Sequence, residues 1–146
     1  MPSRTVLTTG ANSGIGLATV LELARRGYRS VGTVRSDAKA EVVHKAAADA
    51  GVEVVTELLD VTVAEAGAEL IDRWQPWGLV NNAGYSVTGA VEDVGDHEVR
   101  QALETMVVAP ARLARLALPH MRDQGGGRIV NISSIMGLTT TPLTGW

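Results

Sequence analysis

The segment Thr9-Gly10-Ala11-Asn12-Ser13-Gly14-Ile15-Gly16 places three glycines between a short β-prone run, Val6-Leu7-Thr8-Thr9, and a helical pattern that starts at Ile15. A glycine at a strand end lets the chain turn sharply. One in mid-loop lets backbone amides approach an anion, and one at a helix start lets the helix pack close to a sheet. The helix then offers free N–H groups and the positive end of its dipole, which suit a phosphate. No Lys-Ser or Lys-Thr follows the glycines, which excludes a nucleoside-triphosphate P-loop. On spacing alone, a strand-to-helix turn without a ligand stays open as the alternative.

A second candidate ends the next β-prone run, Val31-Gly32-Thr33-Val34-Arg35. In a dinucleotide site, an acid at the end of the second strand bonds the adenosine 2′-hydroxyl and repels a 2′-phosphate. Val34 stands at that position and Arg35 follows it. A guanidinium offers a charge-assisted fork to a phosphate and can stack on adenine. This favours NADP over NAD. The nearby Asp37 weakens the preference, and an Arg35 that is only a solvated charge is the alternative.

These residues need a framework, and the pattern along the chain supplies one. Strands are expected at Val6–Thr9, Tyr28–Val34, Val52–Leu59, Trp77–Val80 and Arg128–Ile132. Helices are expected at Ile15–Arg26, Asp37–Ala50 and Val63–Trp74, with a long helical region, one helix or two, from about Asp96 to Arg122. Gly27 and Gly51 follow the first two helices as stop signals. Strand and helix alternate throughout, which points to an α/β fold, a doubly wound parallel sheet of Rossmann-like form. No repeat, low-complexity tract or interdomain linker interrupts it.

Composition narrows the function classes. The 146 residues are 45% hydrophobic and 20% charged, with three Trp, two Tyr and no Phe. They suit one domain with an aliphatic core. The formal charge of −3 argues against nucleic-acid or anionic-membrane binding. Zero cysteines exclude disulfides, thiolate metal sites and a cysteine nucleophile, and fit a cytoplasmic location. No signal peptide and no bilayer-spanning run is visible. His44, His97 and His120 are dispersed, so no metal site is expected. Trp74 and Trp77 read as packing. Arg112 and Arg115 are expected to face solvent or a partner helix.

Three further motifs follow strands: Leu58-Leu59-Asp60-Val61-Thr62, Asn81-Asn82-Ala83-Gly84, and Gly127-Arg128-Ile129-Val130-Asn131-Ile132-Ser133-Ser134. With the glycine loop they form four motifs in order, each at the C-terminal end of an expected strand, where cofactors bind in open α/β sheets. Together they resemble the short-chain dehydrogenases/reductases over nearly the whole chain. The resemblance implies that Gly10, Gly14, Ile15 and Gly16 frame a pyrophosphate. Ser13 and Arg35 would hold the 2′-phosphate of NADP, and Asp60 and Val61 would lie against adenine. Asn82, Ala83 and Gly84 would line the ribose and nicotinamide side. Ser134 matches the family's catalytic serine, which orients the substrate carbonyl oxygen. The implied activity is hydride transfer between a nicotinamide and an alcohol or ketone, in a homo-oligomer. Simpler roles stand beside these. Asp60 could cap the next helix, and Asn81 and Asn82 could satisfy buried backbone groups.

The sequence departs from the family pattern in two places. Met106, within Thr105-Met106-Val107-Val108-Ala109, occupies the position of the family's helix asparagine, which holds a water on the proton path. A thioether donates no hydrogen bond. The simpler reading of Met106 is a core gap-filler. The family's tyrosine, counted from Ser134, falls one residue past Trp146, with its lysine beyond. The chain as given is thus expected to be the N-terminal part of a dinucleotide-binding domain, spanning 1–146 and incomplete for catalysis. A non-catalytic NADP- or nucleotide-binding module and a non-binding structural fragment are the other readings. The apolar residues Val107, Val108, Leu113, Leu116 and Leu118 would either pair with a second copy or face their own sheet.

Overall fold

The computed structural model describes residues 4–139 and 141–143. Its strands are β1 Thr5–Thr8, β2 Arg29–Val34, β3 Val55–Leu58, β4 Gly78–Asn81 and β5 Arg128–Asn131. They form one parallel sheet in the order β3-β2-β1-β4-β5. The helices are α1 Gly14–Arg25, α2 Asp37–Asp49, α3 Ala64–Trp74, α4 Asp96–Leu103 and α5 Ala109–Asp123.

The long helical region is neither one uninterrupted α-helix nor two separated ones. A π-helical segment, Glu104–Val108, joins α4 to α5. β3 is shorter than expected, and Val52 closes α2 by donating its N–H to Ala47 O.

The core lies in two layers. Val20 of α1 packs with Ala40, Val43 and Ala47 of α2 on one face of the sheet. Leu70 and Ile71 of α3 pack with Leu113, Ala117 and Met121 of α5, over Leu7 and Leu79, on the other. Helices on both faces require strands that are apolar on both sides, and β1, β2 and β4 are almost wholly buried. This is the doubly wound, Rossmann-like fold. The chain leaves β1 toward β2 and returns from β3 to β4 on β1's other side, so the strand order reverses between β1 and β4. A crevice opens at the carboxyl ends of the strands at such a reversal.

β5 is an edge strand with little cover, and Val130 is 47% exposed. The apolar residues of the long helical region divide between two environments. Leu113 is buried and Leu116 packs on the core, while Val107, Val108 and Leu118 are exposed. At the opposite end of the sheet, Trp77 stacks on Tyr28 and the Arg4 guanidinium lies 4.4 Å from its ring centre. Trp74 donates its indole N–H to Glu57 at 2.8 Å. Both tryptophans therefore pack, away from the crevice. Among the described residues, no helix is long and apolar enough to cross a membrane.

Candidate functional site

The crevice is a cleft of about 400 Å³. It brings together Gly10, Ser13, Gly14, Ile15, Arg35, Asp60, Val61, Asn82, Ala83 and Gly84 from four separate loops. Two sequence-expected residues are not on its wall. Gly16 is buried beneath the glycine loop. Ser134 lies past the end of β5, where its Oγ accepts the Met136 N–H at 3.1 Å and caps a short 3-10 turn.

The glycine loop owes its shape to backbone constraints. Gly10 has φ +67°, and a Cβ there would lie 2.9 Å from Ala83 Cα. Gly14 has φ +51° with open space where its Cβ would be. A Cβ at Gly16 would overlap Gly10 O and the Asn82 side-chain nitrogen. Ser13 is the N-cap of α1, yet its hydroxyl makes no capping bond. Leu17 N–H bonds Ser13 O. Among the described residues, the amides of Gly14, Ile15 and Gly16 have no partner. They are the unsatisfied donors that a helix start presents to an anion.

Thr9, for which the sequence carries no functional signal, ties this loop to β4. Its Oγ1 accepts the N–H groups of Asn82 and Ala83, each at 3.0 Å. The Asn82 Nδ2 in turn donates to Thr9 O at 2.9 Å and Gly10 O at 3.0 Å. Asn82 thus satisfies backbone groups across the sheet while also bordering the cleft. Asn81 bridges the strands, donating to Asn131 Oδ1 at 2.8 Å. Thr9→Val would leave two part-buried amides without their acceptor, at about 2–3 kcal/mol. The expected result is a fall in melting temperature of roughly 6–9 °C, with Thr9→Ser close to wild type. Calorimetric melting of the two variants checks it.

At the other end of the cleft, Arg35 is exposed and, among the described residues, has no ion-pair or hydrogen-bond partner. Lys39, one turn into α2, joins it on the cleft wall, whereas Asp37 does not. The signal for Lys39 was a second cation four residues after Arg35. Asp60 faces the same end. Its Oδ1 accepts from Thr62 Oγ1 at 2.7 Å and Thr62 N–H at 3.0 Å. Those bonds, with the positive field of Arg35, hold its carboxyl below the usual carboxylate range. The expected alternative of a helix cap fails, because Val63 is the N-cap of α3 and Asp60 closes the turn before it.

Met106 is 41% exposed, so it does not fill a core gap. It lies in the π segment against Gly84, with its sulfur 3.3 Å from where a Gly84 Cβ would be. Gln101 and Thr105 reach the cleft from the same region. Arg112, expected to face solvent or a partner helix, turns toward Glu104 and the β3–α3 loop. Its side chain is 18% exposed and pairs with Glu104. Arg115 is exposed, as expected. Among the described residues, no group of three or more His, Asp or Glu could hold a metal ion.

An open α/β sheet with a glycine loop at its strand-order reversal and a cleft across it defines a dinucleotide-binding class of fold. Comparison with known proteins makes this particular. The short chain dehydrogenase family model matches residues 4–145. The chain belongs to the short-chain dehydrogenase/reductase family. It is 36% identical to an uncharacterized oxidoreductase of Bacillus subtilis, over 97% of this chain and 52% of that protein. It is also 36% identical to retinol dehydrogenase 8 of Homo sapiens, over 92% of this chain and 45% of that protein. A metagenomic short-chain oxidoreductase, solved in complex with NADP, superposes with a TM-score of 0.86 at 28% identity, over 97% of this chain and 66% of that one. The chain spans about half the length of these curated relatives.

Proposed function

We propose that this chain is the cofactor-binding portion of an NADP(H)-dependent oxidoreductase acting on an alcohol or carbonyl compound. The observation that carries the proposal is one cleft that joins the unbonded amides at the start of α1 to two unpaired cations, Arg35 and Lys39. The residues fit the cofactor. Open space at Gly14 leaves room for a pyrophosphate beside the Gly14 and Ile15 amides, on the loop that Gly16 packs from beneath. Ser13, Arg35 and Lys39 offer donors to a 2′-phosphate. Asp60, ionised at neutral pH, accepts from the adenine amino group, beside Val61. Asn82, Ala83 and Gly84 border the nicotinamide side.

When bound, the nicotinamide supplies or takes up hydride. Ser134 Oγ accepts a backbone amide, which leaves its proton free to donate to a carbonyl oxygen. That is the orienting role we assign it. The NADP in the metagenomic relative and the oxidoreductase and dehydrogenase names of the curated relatives support the reading. A cytoplasmic homo-oligomer, meeting through the exposed Val107, Val108 and Leu118, belongs to the same proposal.

Met106 favours a second reading, a nucleotide-binding module without catalysis, because it has no hydrogen to donate beside Gly84. Titration and turnover separate the two. NADP is expected to bind at least 10-fold more tightly than NAD. NADPH consumption with a panel of carbonyl compounds would support the oxidoreductase. Tight binding without turnover fits both readings, since the chain is proposed as the cofactor-binding portion alone, and no binding of either nucleotide would refute both.

A further inference from the structure

The π segment has a geometric consequence at the adenine end of the cleft. Two α turns take about 7.2 residues. A turn closed by an i→i+5 bond takes up roughly one residue more than an α turn. With one such turn between them, residue i+8, not i+7, stands above residue i. Glu104 opens the π segment, and Arg112 lies eight residues on, in α5. In an uninterrupted α-helix their side chains would diverge around the axis. Here Arg112 Nη2 donates to Glu104 Oε1. Helical side chains lean toward the N-terminus, so the reach from Arg112 back to Glu104 is the natural one.

The pair sits against the β3–α3 loop. Arg112 Nη1 is shared between Val61 O and Thr62 O, at 3.5 Å each. These bonds are long, but their donor is charged and its side chain is only 18% exposed. Thr62 is the residue whose N–H and hydroxyl hold Asp60 Oδ1. One guanidinium therefore connects the π segment to the loop that carries Asp60 and Val61. Glu104 fixes the guanidinium and neutralises its charge where water is scarce.

We infer that Arg112 and Glu104 form a positioning clamp, aligned by the π turn, that holds the Asp60–Thr62 loop in place for the adenine of the nucleotide. The inference rests on the cofactor reading above. Neither residue touches the nucleotide, and both act through the loop.

Two measurements on the full chain test it: amide hydrogen exchange and calorimetric titration with 2′,5′-ADP, which has no nicotinamide. Arg112→Gln is expected to accelerate exchange about 10-fold in residues 59–64 and leave residues 9–16 unchanged. It is expected to weaken 2′,5′-ADP binding about 10-fold. Glu104→Gln, which keeps the guanidinium but frees it, is expected to fall between Arg112→Gln and wild type. The double variant is expected to be no worse than Arg112→Gln, because the two residues act as a unit. Unchanged exchange in 59–64 for both single variants would overturn the clamp. Accelerated exchange with affinity within twofold of wild type would also overturn it, since the loop's placement would then not matter to binding. If the wild type fails to bind 2′,5′-ADP, the cofactor reading fails instead. The exchange arm then decides alone whether the pair holds the loop.

Discussion

Arg35→Asp is expected to cut NADP affinity roughly 100-fold or more and to raise NAD affinity severalfold, so that the preference inverts. The substitution removes the charged fork and sets a carboxylate beside the 2′-phosphate. A hydrogen bond to a charged group contributes about 1.5–3 kcal/mol, and a tenfold change in affinity is about 1.4 kcal/mol. Losing that bond and gaining a repulsion therefore amounts to about two decades. On NAD the new acid has a 2′-hydroxyl to accept from, a neutral and weaker bond, so the gain is smaller. Lys39 shares the same wall of the cleft and keeps the loss finite. As a point charge without a fork, it is expected to cost only about 5–10-fold when changed to Gln. Both cations are outside any ion pair among the described residues. Wild-type NADP affinity should therefore fall with added salt more steeply than NAD affinity. Titration of both nucleotides at two ionic strengths reads all three effects. Equal NADP affinity in Arg35→Asp would sink the assignment of Arg35 to the 2′-phosphate.

The parts of this fold that could be read from the residues are those with a local cause. A parallel sheet covered on both faces needs continuous apolar runs. Val6-Leu7 and Leu79-Val80 are such runs, and both lie in buried strands. Glycines in left-handed geometry at Gly27 and Gly51 stand where the first two helices were expected to stop. The cleft was legible because three of its four loops carry a motif at the end of a strand and the fourth carries Arg35, and strand order brings those ends together.

What could not be read has non-local causes. The residue types Glu104-Thr105-Met106-Val107-Val108 do not distinguish a π turn from an α turn. Without that turn, spacing arguments look for partners three or four residues away. Glu104 and Arg112 are eight apart, so the spacing left Arg112 to solvent or a partner helix. Thr9 was invisible for another reason. Its partners, Asn82 and Ala83, lie more than seventy residues away in sequence, and only the pairing of β1 with β4 brings them near. Met106 could be placed by position in its motif. Its exposure against Gly84 came from the π segment that carries it.

Gly16→Ala and Gly14→Ala are expected to separate the two demands on the glycine loop, space and conformation. In an open helix, Gly→Ala stabilises by about 1 kcal/mol. Gly16 is the third residue of α1, yet a methyl there would occupy the space of Gly10 O and the Asn82 side-chain nitrogen. Neither can yield cheaply. Gly10 is held in left-handed geometry against Ala83, and Asn82 is committed to Thr9 O and Gly10 O. The expected net effect is a loss of about 2–3 kcal/mol, a melting temperature lower by roughly 6–9 °C, and loss of nucleotide binding as the loop shifts. At Gly14 the space is open, so the cost is the left-handed φ alone, about 1–2 kcal/mol. Its methyl would project into the room that a pyrophosphate needs, so Gly14→Ala should lower NADP affinity out of proportion to its effect on stability. Thermal unfolding and NADP titration of both variants read the contrast. A Gly16→Ala protein that melts and binds like wild type would show that the loop does not pack against Asn82, and the anion site built on it would fall with that packing.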